Sequence, residues 1–444
     1  MSIIQKFKES ELKNRDPRFL AAVSLLNWLQ TKQIIFYQRS FFGLPSDVGF
    51  YKHIVSNVVR HRKRFEYAIE LLSKRSLQRI DPEALVCLYI GLVQLEKGSK
   101  VEEYAAINES VELIKTLEKP HLKGFVNANL RRYLREREEV DVALKTQSLD
   151  IVTSHDKRQI ERWTEFFGLE ATKTICESNN VLPEVQIILN PLFERNSIVN
   201  DLLSLGFDLF DYHDEGFSIK NPEGIFNSQW AKKGALLVQD RAFQQINLLL
   251  EKLPKEKVLD ACAAPGGKTF HLEWRFGNDI SLLVSSELDR LRMTTMRDNI
   301  ALYQSKAKAI QANSHHPPFK ESFDLVICDA PCSGTGTIRK HPEIKWLRSE
   351  KDYQRNQKTQ LNLLRQLAEL VKPKGHLLYI TCSLENEENQ GVVEKFLSCS
   401  KNTFQLVPFS HSALEESVIT KEGYFQTLTS PKQMGAFSAL FMKM

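Results

Sequence analysis

Apolar residues recur at helical spacing through the N-terminal part of the chain, where glycine and proline are sparse. The apolar positions from Leu20 to Leu29, and again from Leu85 to Leu95, follow the three-to-four-residue repeat of helices that bury one face. Asp81, Pro82 and Glu83 precede the second run in the order of an N-cap, a first-turn proline and a favourable acidic residue. The pattern predicts an all-helical bundle over residues 1–142.

The pattern then becomes irregular and predicts a small mixed α+β connecting domain over residues 143–232. From residue 233 to residue 444, short apolar strands alternate with helical segments. The strands are Val258-Leu259, Leu282–Val284, Asp324–Cys328 and Leu377–Ile380, and the helices include Arg290–Leu302 and Gln357–Val371. This alternation predicts an α/β domain with a parallel sheet, helices on both faces, and ligands beyond the carboxyl ends of the strands.

Composition narrows the class of protein. A chain of 444 residues, 42% hydrophobic and 26% charged, is typical of a soluble globular protein of about two or three domains. Met1–Arg18 lacks the apolar stretch of a signal peptide, and the most apolar run, Ala84–Val93, is too short to span a bilayer. Seven cysteines without an export signal indicate reduced thiols in the cytoplasm, and a net charge of +5 permits a polyanionic partner.

A basic cluster in the helical region has two interpretations. Arg60, Arg62, Lys63 and Arg64 form either a solvated helix face or a surface that binds phosphates. A second cluster, between Arg131 and Arg137, is diluted by neighbouring glutamates, so the first cluster is the better candidate for contacts with nucleic acid.

The segment from Val258 to Thr269 reads as a strand, a glycine-rich turn and the start of a helix. Small residues and paired glycines let a ligand approach the backbone, and the helix N-terminus offers free N–H groups. Glu287 ends the next strand, where a carboxylate can accept hydrogen bonds from ribose hydroxyls. Cys262 stands where a P-loop requires glycine, and the dinucleotide fingerprint is absent. A nucleoside ligand without a phosphate chain fits best, and adenosine linked to methionine is one.

Two cysteines follow buried strands in polar loops, Cys332 after Asp324–Cys328 and Cys382 after Leu377–Ile380. The carboxyl ends of parallel strands meet at one edge, so we expect both thiols to face one pocket. Four further cysteines are interpreted as small buried hydrophobes; they are Cys87, Cys176, Cys328 and Cys399. The spacing of the cysteines does not favour a metal site.

At this point the residues resemble a known family. The run from Asp329 to Gly336, continuing to Trp346, is similar to the RNA 5-methylcytosine methyltransferases, and so is Tyr379–Ser383 with the following Glu385, Glu388 and Asn389. Asn108–Leu113 and Gly124–Arg131 resemble signature segments of a NusB-like RNA-binding bundle. The resemblance to the RsmB (Sun/Fmu) family of bacterial 16S rRNA (cytosine-C5)-methyltransferases covers nearly the whole chain and is weakest between Ala143 and Trp230. The resemblance implies a Rossmann-like class I methyltransferase domain with a mostly parallel seven-stranded sheet, preceded by the NusB-like bundle.

The resemblance also implies site residues. The residues that would wrap S-adenosyl-L-methionine are Cys262, Ala263, Ala264, Pro265, Gly266, Gly267 and Lys268. Glu287 would hold the ribose, Asn313 would lie near the adenine, and Asp329 would line the pocket beside the methionyl end and the target base. Cys382 takes the place of the nucleophile, and Cys332 takes the place of the cysteine that releases the product.

The chemistry explains the need for two thiols. Cytosine C5 is a poor nucleophile, and addition of a thiolate to C6 makes C5 electron-rich, so covalent catalysis divides one hard step into two. Asp329, near N3, can stabilise the developing charge or supply a proton. A second thiol can assist the expulsion of the first.

Three positions depart from the family pattern. Asn313 and Glu287 each stand where an aspartate is usual, and Gly435-Ala436-Phe437 replaces a Gly-Phe-Phe pattern. The first departure can alter a hydrogen bond to adenine, and the second keeps the charge on a longer arm. None of the three departures changes the cysteines.

We expect small-subunit ribosomal RNA as the partner, no membrane, a cytoplasmic location and a monomer. The segment from Arg339 to Trp346 is predicted to contact RNA through Arg339, Lys340, His341 and Lys345, the alternative being a packed loop around the tryptophan. The target base would be flipped out or already lie in a loop. Two rival functions stay open: the same chemistry on transfer RNA or another ribosomal site, and an inert RNA-binding assembly factor.

Overall fold

The computed structural model describes residues 12–13, 15–220, 222–320, 322–400, 402–410 and 418–444. The chain divides into two compact units, one of residues 1–180 with 341–347 and the other of residues 181–340 with 348–444. The predicted connecting domain is thereby split at residue 180, because residues 143–180 are helical and pack with the first unit. The expectation of no leader rests on Met1–Arg18, most of which lies outside the described residues.

The first unit is helical, as the apolar repeat predicted. Its helices are Pro17–Thr31, Pro45–Arg60, Arg62–Ser73, Pro82–Leu95, Glu103–Thr116, Lys123–Arg135, Arg137–Lys145, Leu149–Val152, Lys157–Phe167, Leu169–Asn180 and the single turn Ile344–Leu347. Asp81 caps its helix as predicted, since its carboxylate accepts a hydrogen bond from the Glu83 N–H at 3.1 Å. In the described part of the chain, no helix is long and apolar enough to cross a membrane.

The core of this bundle forms around helix Pro82–Leu95, in which every residue from Ala84 onwards is buried. Trp28, Tyr51 and Tyr89 are among its largest buried side chains. The Tyr51 hydroxyl lies 2.8 Å from the Ser24 hydroxyl and donates a hydrogen bond to the Ile35 carbonyl at 2.8 Å. The hydroxyls of Ser24 and Tyr51 are thus satisfied inside the bundle.

The second unit begins with a small sheet. Its four strands are β1 (Val185–Leu189), β2 (Leu209–His213), β3 (Gly216–Ile219) and β4 (Leu236–Val238), in the order β2-β3-β1-β4. Both neighbours of β1 run antiparallel to it. Helix Arg195–Ser204 and the short turn Gln229–Lys232 complete this part of the unit. The small sheet accounts for the mixed pattern that the sequence showed before residue 233.

The main sheet has eight strands, one more than predicted. They are β5 (Lys257–Ala261), β6 (Leu282–Glu287), β7 (Lys308–Gln311), β8 (Phe323–Asp329), β9 (Val371–Thr381), β10 (Phe404–Val407), β11 (Phe425–Thr427) and β12 (Ala436–Lys443). Seven follow the order β10-β12-β9-β8-β5-β6-β7, and the three-residue β11 pairs with β12 outside that order. The five strands from β9 to β7 are parallel, whereas β12 pairs antiparallel with β9, and β10 and β11 pair antiparallel with β12.

Helices between the strands cover the sheet. They are Arg241–Leu248, Gly267–Phe276, Arg290–Tyr303, Glu350–Ala368 and Gln390–Cys399. From β5 the chain proceeds to β6 and β7 on one side, then returns to β8 and β9 on the other. This reversal makes the carboxyl ends of β5 and β8 a topological switch point, where open α/β sheets bind ligands.

Candidate active site

A cavity of about 650 Å³ opens at the carboxyl ends of the parallel strands. Its lining residues follow or end strands β5 to β9, together with the start of helix Arg290–Tyr303 and one residue of helix Glu350–Ala368. They are Cys262, Glu287, Leu288, Asp289, Arg290, Arg292, Gln311, Asn313, Ser314, His315, Asp329, Ala330, Pro331, Cys332, Leu363 and Cys382. Five strands separated in sequence therefore converge on one site, as the strand-end pattern predicted.

The glycine-rich turn connects β5 to helix Gly267–Phe276. Cys262 adopts a left-handed φ of 64° and reaches the cavity, while the Ala263 N–H donates a hydrogen bond to the Ser286 carbonyl at 2.9 Å. Ala263 and Ala264 are buried against the core, and Pro265 is exposed. Gly266 has a φ of 105°, and a Cβ there would lie 2.4 Å from the Phe270 ring, so the turn requires glycine at this position.

Glu287 holds one carboxylate oxygen ready for a ligand. Its Oε1 accepts hydrogen bonds from the Leu288 and Asp289 N–H groups at 2.9 and 3.0 Å. Its Oε2 is buried without a hydrogen-bond partner, and Arg292 Nη1 lies 3.4 Å away. A buried acceptor that lacks a donor is costly, so this oxygen fits a donor supplied by a bound hydroxyl.

Asn313 lines the cavity after β7. Its side-chain Oδ1 accepts a hydrogen bond from the His315 N–H at 3.0 Å, and its carbonyl accepts one from the His316 N–H at 2.8 Å. An aspartate carboxylate could accept the same bond from His315, so the departure to asparagine preserves the turn. The asparagine differs from an aspartate in its second side-chain atom, because the amide nitrogen donates hydrogen bonds where a carboxylate oxygen would accept them.

Lys268 and Asp329 form an ion pair beside the cavity, with Nζ 2.6 Å from Oδ2. Burial lowers the pKa of Lys268, but the Asp329 charge and hydrogen bond outweigh it and raise that pKa overall. Lys268, in the first turn of helix Gly267–Phe276, therefore holds the Asp329 carboxylate in place.

Asp260, at the end of β5, was missed as a site residue by the sequence interpretation. It is fully buried, and its Oδ2 accepts a hydrogen bond from the Thr269 hydroxyl at 2.6 Å. Burial raises the pKa of Asp260 from 3.8 to about 7, although the Thr269 hydrogen bond acts in the opposite direction. The only sign of Asp260 in the sequence is that it is an acidic residue inside an otherwise apolar strand.

The thiols of Cys332 and Cys382 lie 3.2 Å apart, sulfur to sulfur. Strands β8 and β9 are parallel neighbours with Asp329 opposite Ile380, so the loops that carry the two cysteines leave the sheet side by side. The hydrogen bond with Cys382, together with burial, raises the pKa of Cys332 well above its ordinary value. Both cysteines line the cavity, so the geometry places two thiols in contact at one site.

The other cysteines lie away from this pair. Cys87, Cys176 and Cys328 are buried, as expected, and burial raises the pKa of each thiol. Cys399 was expected to be buried but is exposed at a helix end, where the Arg365 guanidinium donates a hydrogen bond to its sulfur at 2.8 Å.

Comparison with known proteins identifies the family. A model described as 16S rRNA methyltransferase RsmB/F matches residues 247–442, and the NusB family model matches residues 15–135. Ribosomal RNA small subunit methyltransferase B from Pasteurella multocida is 32% identical over 84% of this chain and 84% of its own length. The chain belongs to the ribosomal RNA small subunit methyltransferase B family. The family and domain types predicted from the motifs are confirmed.

Solved structures agree with this fold. The crystal structure of PH0851 covers 96% of this chain and 99% of its own length, with a TM-score of 0.73 and 22% identity. A methyltransferase homologue from Pyrococcus horikoshii covers 67% of this chain and 98% of its own length, with a TM-score of 0.56 and 26% identity. The α/β class and the helical NusB-like region are therefore confirmed.

The structure corrects the interpretation of the basic cluster after residue 60. Arg60 is only 2% exposed and donates a hydrogen bond to the Asn179 carbonyl, so it is an internal residue of the first unit and not a surface contact. Arg62 pairs with Glu66 at 2.7 Å, and Lys63 pairs with Asp150 at 2.7 Å. Arg64 is half-buried. Most of the basic side chains of this cluster therefore bond to other residues of the first unit.

The same correction applies to two residues of the stretch after residue 338. Arg339 is 3% exposed and donates hydrogen bonds to the carbonyls of Ser430 and Pro431. Lys345 is 2% exposed and donates to the Arg60 and Thr153 carbonyls and to Asn180 Oδ1. Both are buried because they satisfy oxygen acceptors brought together from distant parts of the sequence. The interpretation as a packed loop is correct for these two residues.

Lys340 and His341 reach the surface and both stay predicted RNA contacts, although Lys340 Nζ lies 3.8 Å from Asp240 Oδ2 and His341 Nδ1 lies 3.4 Å from Glu343 Oε1. The second basic cluster is also more accessible than expected. A groove of about 630 Å³ on the first unit is lined by Tyr104, Arg131 and Arg135, and Tyr104 is 76% exposed. An exposed aromatic ring between arginines can stack with an unpaired base while the guanidinium groups meet phosphates.

The raised pKa of Asp260 predicts a pH-dependent stability. The folded state keeps this proton up to a pH near 7, while the unfolded chain releases it near 3.8. Between these values the folded state binds more protons, so stability falls as pH rises, by up to about 1.4 kcal/mol per pH unit. Asp260→Asn should therefore gain stability relative to wild type between about pH 5 and pH 8 in urea unfolding. The exposed Asp298→Asn is the control; parallel curves for Asp260→Asn and wild type would contradict the assignment.

The burial of Lys345 predicts a structural defect upon its removal. Lys345→Met leaves the Arg60 and Thr153 carbonyls and Asn180 Oδ1 without this donor, which should lower the free energy of unfolding by about 2 kcal/mol or more. Denaturant unfolding measures the loss, and the exposed Lys351→Met serves as the matched control. RNA affinity of the folded variant should be unchanged, so a stable variant with weakened RNA binding would restore the surface role.

Proposed function

We propose that this methyltransferase transfers a methyl group from S-adenosyl-L-methionine to C5 of one cytosine in 16S ribosomal RNA, through a covalent bond from Cys382 to C6. The observation that carries the proposal is the 3.2 Å contact between the Cys382 and Cys332 thiols at the edge of the cavity. A methyltransferase acting on a more nucleophilic atom, such as an amine, has no need of two thiols at this position.

The cavity fits the methyl donor. The Glu287 Oε2, which accepts no hydrogen bond from the described residues and lies 3.4 Å from Arg292 Nη1, suits a ribose hydroxyl, and the turn from Cys262 to Lys268 brings the backbone to the cavity edge. Asn313 would lie near the adenine, and Asp329 beside the methionyl end. When bound, S-adenosyl-L-methionine supplies an electrophilic methyl group. The residues of the chain must make C5 of the cytosine nucleophilic beside this methyl group.

Cys382 begins the reaction by bonding to C6 of the cytosine. The ring electrons then accumulate at C5 and on the N3 side of the base, where charge must be stabilised. Asp329 lines the cavity, and Lys268 Nζ lies 2.6 Å from its Oδ2, so a proton of the Lys268 ammonium can pass through the Asp329 carboxyl group to N3 as the electrons reach it. Their preorganisation lowers the cost of the developing charge because neither group has to move.

Cys332 serves the second half of the reaction. Once C5 carries the methyl group, a solvent base must take the C5 proton, and the electron pair of that C–H bond re-forms the C5–C6 double bond as the bond between C6 and the Cys382 sulfur breaks. Cys332 stands in contact with the Cys382 sulfur and keeps its own proton, because its pKa is raised by the hydrogen bond to Cys382 and by burial. A protonated thiol at this position can stabilise the departing sulfur, which supports its role in release.

The substrate class follows from the family, and the RNA contacts are a further part of the proposal. The groove of Tyr104, Arg131 and Arg135 offers stacking and phosphate contacts for unpaired RNA. Lys340 and His341 add exposed basic residues in the segment that follows the cysteine loop. The cavity accepts a single base, so the target cytosine would be flipped out or unpaired. A cytoplasmic location is expected for an enzyme of ribosome assembly.

The substrate and the nucleophile can be tested together in cells. Bisulfite sequencing of ribosomal RNA should show one protected cytosine that is lost when the gene is deleted and restored by the wild-type chain. Cys382→Ala should restore no protection, because without the thiolate C5 stays unreactive. Cys399→Ala, at the exposed cysteine, is the control and should restore protection fully.

The outcome also separates the rival functions. Protection that changes only in transfer RNA would favour that substrate, and no change in any RNA would favour an inert assembly factor. Protection restored by Cys382→Ala would contradict the nucleophile assignment.

The release role of Cys332 predicts a trapped intermediate. Cys332→Ala should accumulate a protein–RNA adduct that survives denaturing electrophoresis, because Cys382 still adds to C6 but leaves slowly. The double variant Cys332→Ala with Cys382→Ala should form no adduct. A Cys332→Ala protein that binds S-adenosyl-L-methionine and RNA yet forms no adduct would remove Cys332 from the release step.

A further inference from the structure

A buried carboxylate joins the two loops that carry the reactive cysteines. Glu388 is fully buried, and its Oε1 accepts hydrogen bonds from the Ser333 N–H at 2.8 Å and from Asn356 Nδ2 at 2.7 Å. Its Oε2 accepts from the hydroxyls of Ser333 and Ser383. Ser333 follows Cys332 and Ser383 follows Cys382, so one carboxylate contacts the residue next to each thiol.

The position of Glu388 is itself fixed from several sides. Its carbonyl accepts a hydrogen bond from the Tyr379 hydroxyl at 2.6 Å, and Gln360 Nε2 contacts its Oε1 at 3.3 Å. The same Gln360 amide donates to the Pro331 carbonyl at 3.0 Å, immediately before Cys332. Glu388 is thus the centre of a polar network that spans the loop after β8, the loop after β9 and helix Glu350–Ala368.

This arrangement is unusual for a carboxylate. Within the described residues, no lysine, arginine or histidine nitrogen lies within 4.0 Å of Glu388 as an ion-pair partner, so hydrogen-bond donors alone offset its burial. Burying a charge in this way is costly, and such a residue is retained where geometry depends on it. The geometry that depends on it here is the 3.2 Å separation of the thiols.

We propose that Glu388 is a positioning residue that holds Cys332 against Cys382, and that its loss impairs release of the methylated product more than cofactor binding or the attack on C6. The part concerning release rests on the proposed function, whereas the part concerning thiol spacing does not. Glu388 touches neither reacting thiol, so its action is indirect, through Ser333 and Ser383. Its negative charge also adds to the causes that raise the pKa of Cys332.

The spacing can be measured without any methyl transfer. Diamide oxidises a neighbouring thiol pair to a disulfide, and mass spectrometry of digested protein reports the peptide pair that contains Cys332 and Cys382. The rate of this oxidation should fall by about 10-fold or more in Glu388→Ala, because even small displacements of reacting groups are costly. Glu388→Gln keeps the shape and several hydrogen bonds, so it should fall between Glu388→Ala and wild type.

The matched control is Glu394→Ala, an exposed carboxylate on helix Gln390–Cys399. It should oxidise at the wild-type rate. Should Glu388→Ala fail to fold, as judged by thermal unfolding, Glu388→Gln and Ser383→Ala provide the test. Folded variants that all form the disulfide at the wild-type rate would overturn the proposal.

The kinetic consequence has its own readout. In Glu388→Gln, kcat should fall several-fold with little change in KM for RNA, and the adduct seen with Cys332→Ala should become detectable. A faster rate in Glu388→Gln than in Glu388→Met, which fills a similar space but accepts none of these hydrogen bonds, would distinguish positioning from mere filling of space. Wild-type protein that methylates no RNA would refute the proposed function, yet the disulfide measurement would still decide the thiol spacing. A kcat equal to that of wild type in Glu388→Gln, with slowed disulfide formation, would overturn the link to release.

Discussion

The site depends on one constraint, the side-by-side exit of two parallel strands. Asp329 of β8 lies opposite Ile380 of β9, and the chain must bring a thiol from each loop into contact within a few residues. Neighbouring strands are about 4.8 Å apart, so the loops need to turn towards each other and not away. Gly336 permits this approach: its N–H donates to the Cys382 carbonyl at 2.9 Å, and a Cβ would lie 2.1 Å from the Gly435 carbonyl oxygen.

The segment Gly435–Phe437 therefore has a structural role that its sequence did not suggest. The Gly435 N–H donates a hydrogen bond to the Gly336 carbonyl at 3.0 Å, and Ala436 begins β12, which pairs with β9. Strand β12 thus supports the loop that carries Cys332. The departure to alanine at position 436 leaves this backbone contact unchanged, because the contact uses main-chain atoms.

What could be predicted from the sequence was local or periodic. The buried helix around Leu88, the Asp81 cap and the strand that ends at Asp329 all follow from residues near one another in the chain. Arg60 and Lys345 were misjudged because their partners are remote: their side chains donate hydrogen bonds to carbonyl groups of residues 119 and 285 positions away. A basic residue that serves buried carbonyls looks identical, in sequence, to one that serves RNA.

The two cysteines show the same limit, because a local pattern predicts their position but not what each thiol does. Their pairing could be predicted from strand ends, but which thiol attacks and which releases came only from resemblance. The structure adds a physical link between the two loops. Both thiols line the cavity, 3.2 Å apart, and the buried Glu388 carboxylate accepts hydrogen bonds from Ser333 and Ser383, the residues that follow them. The contact between the thiols is therefore fixed by donors and acceptors far apart in the chain, which no local pattern in the sequence reveals.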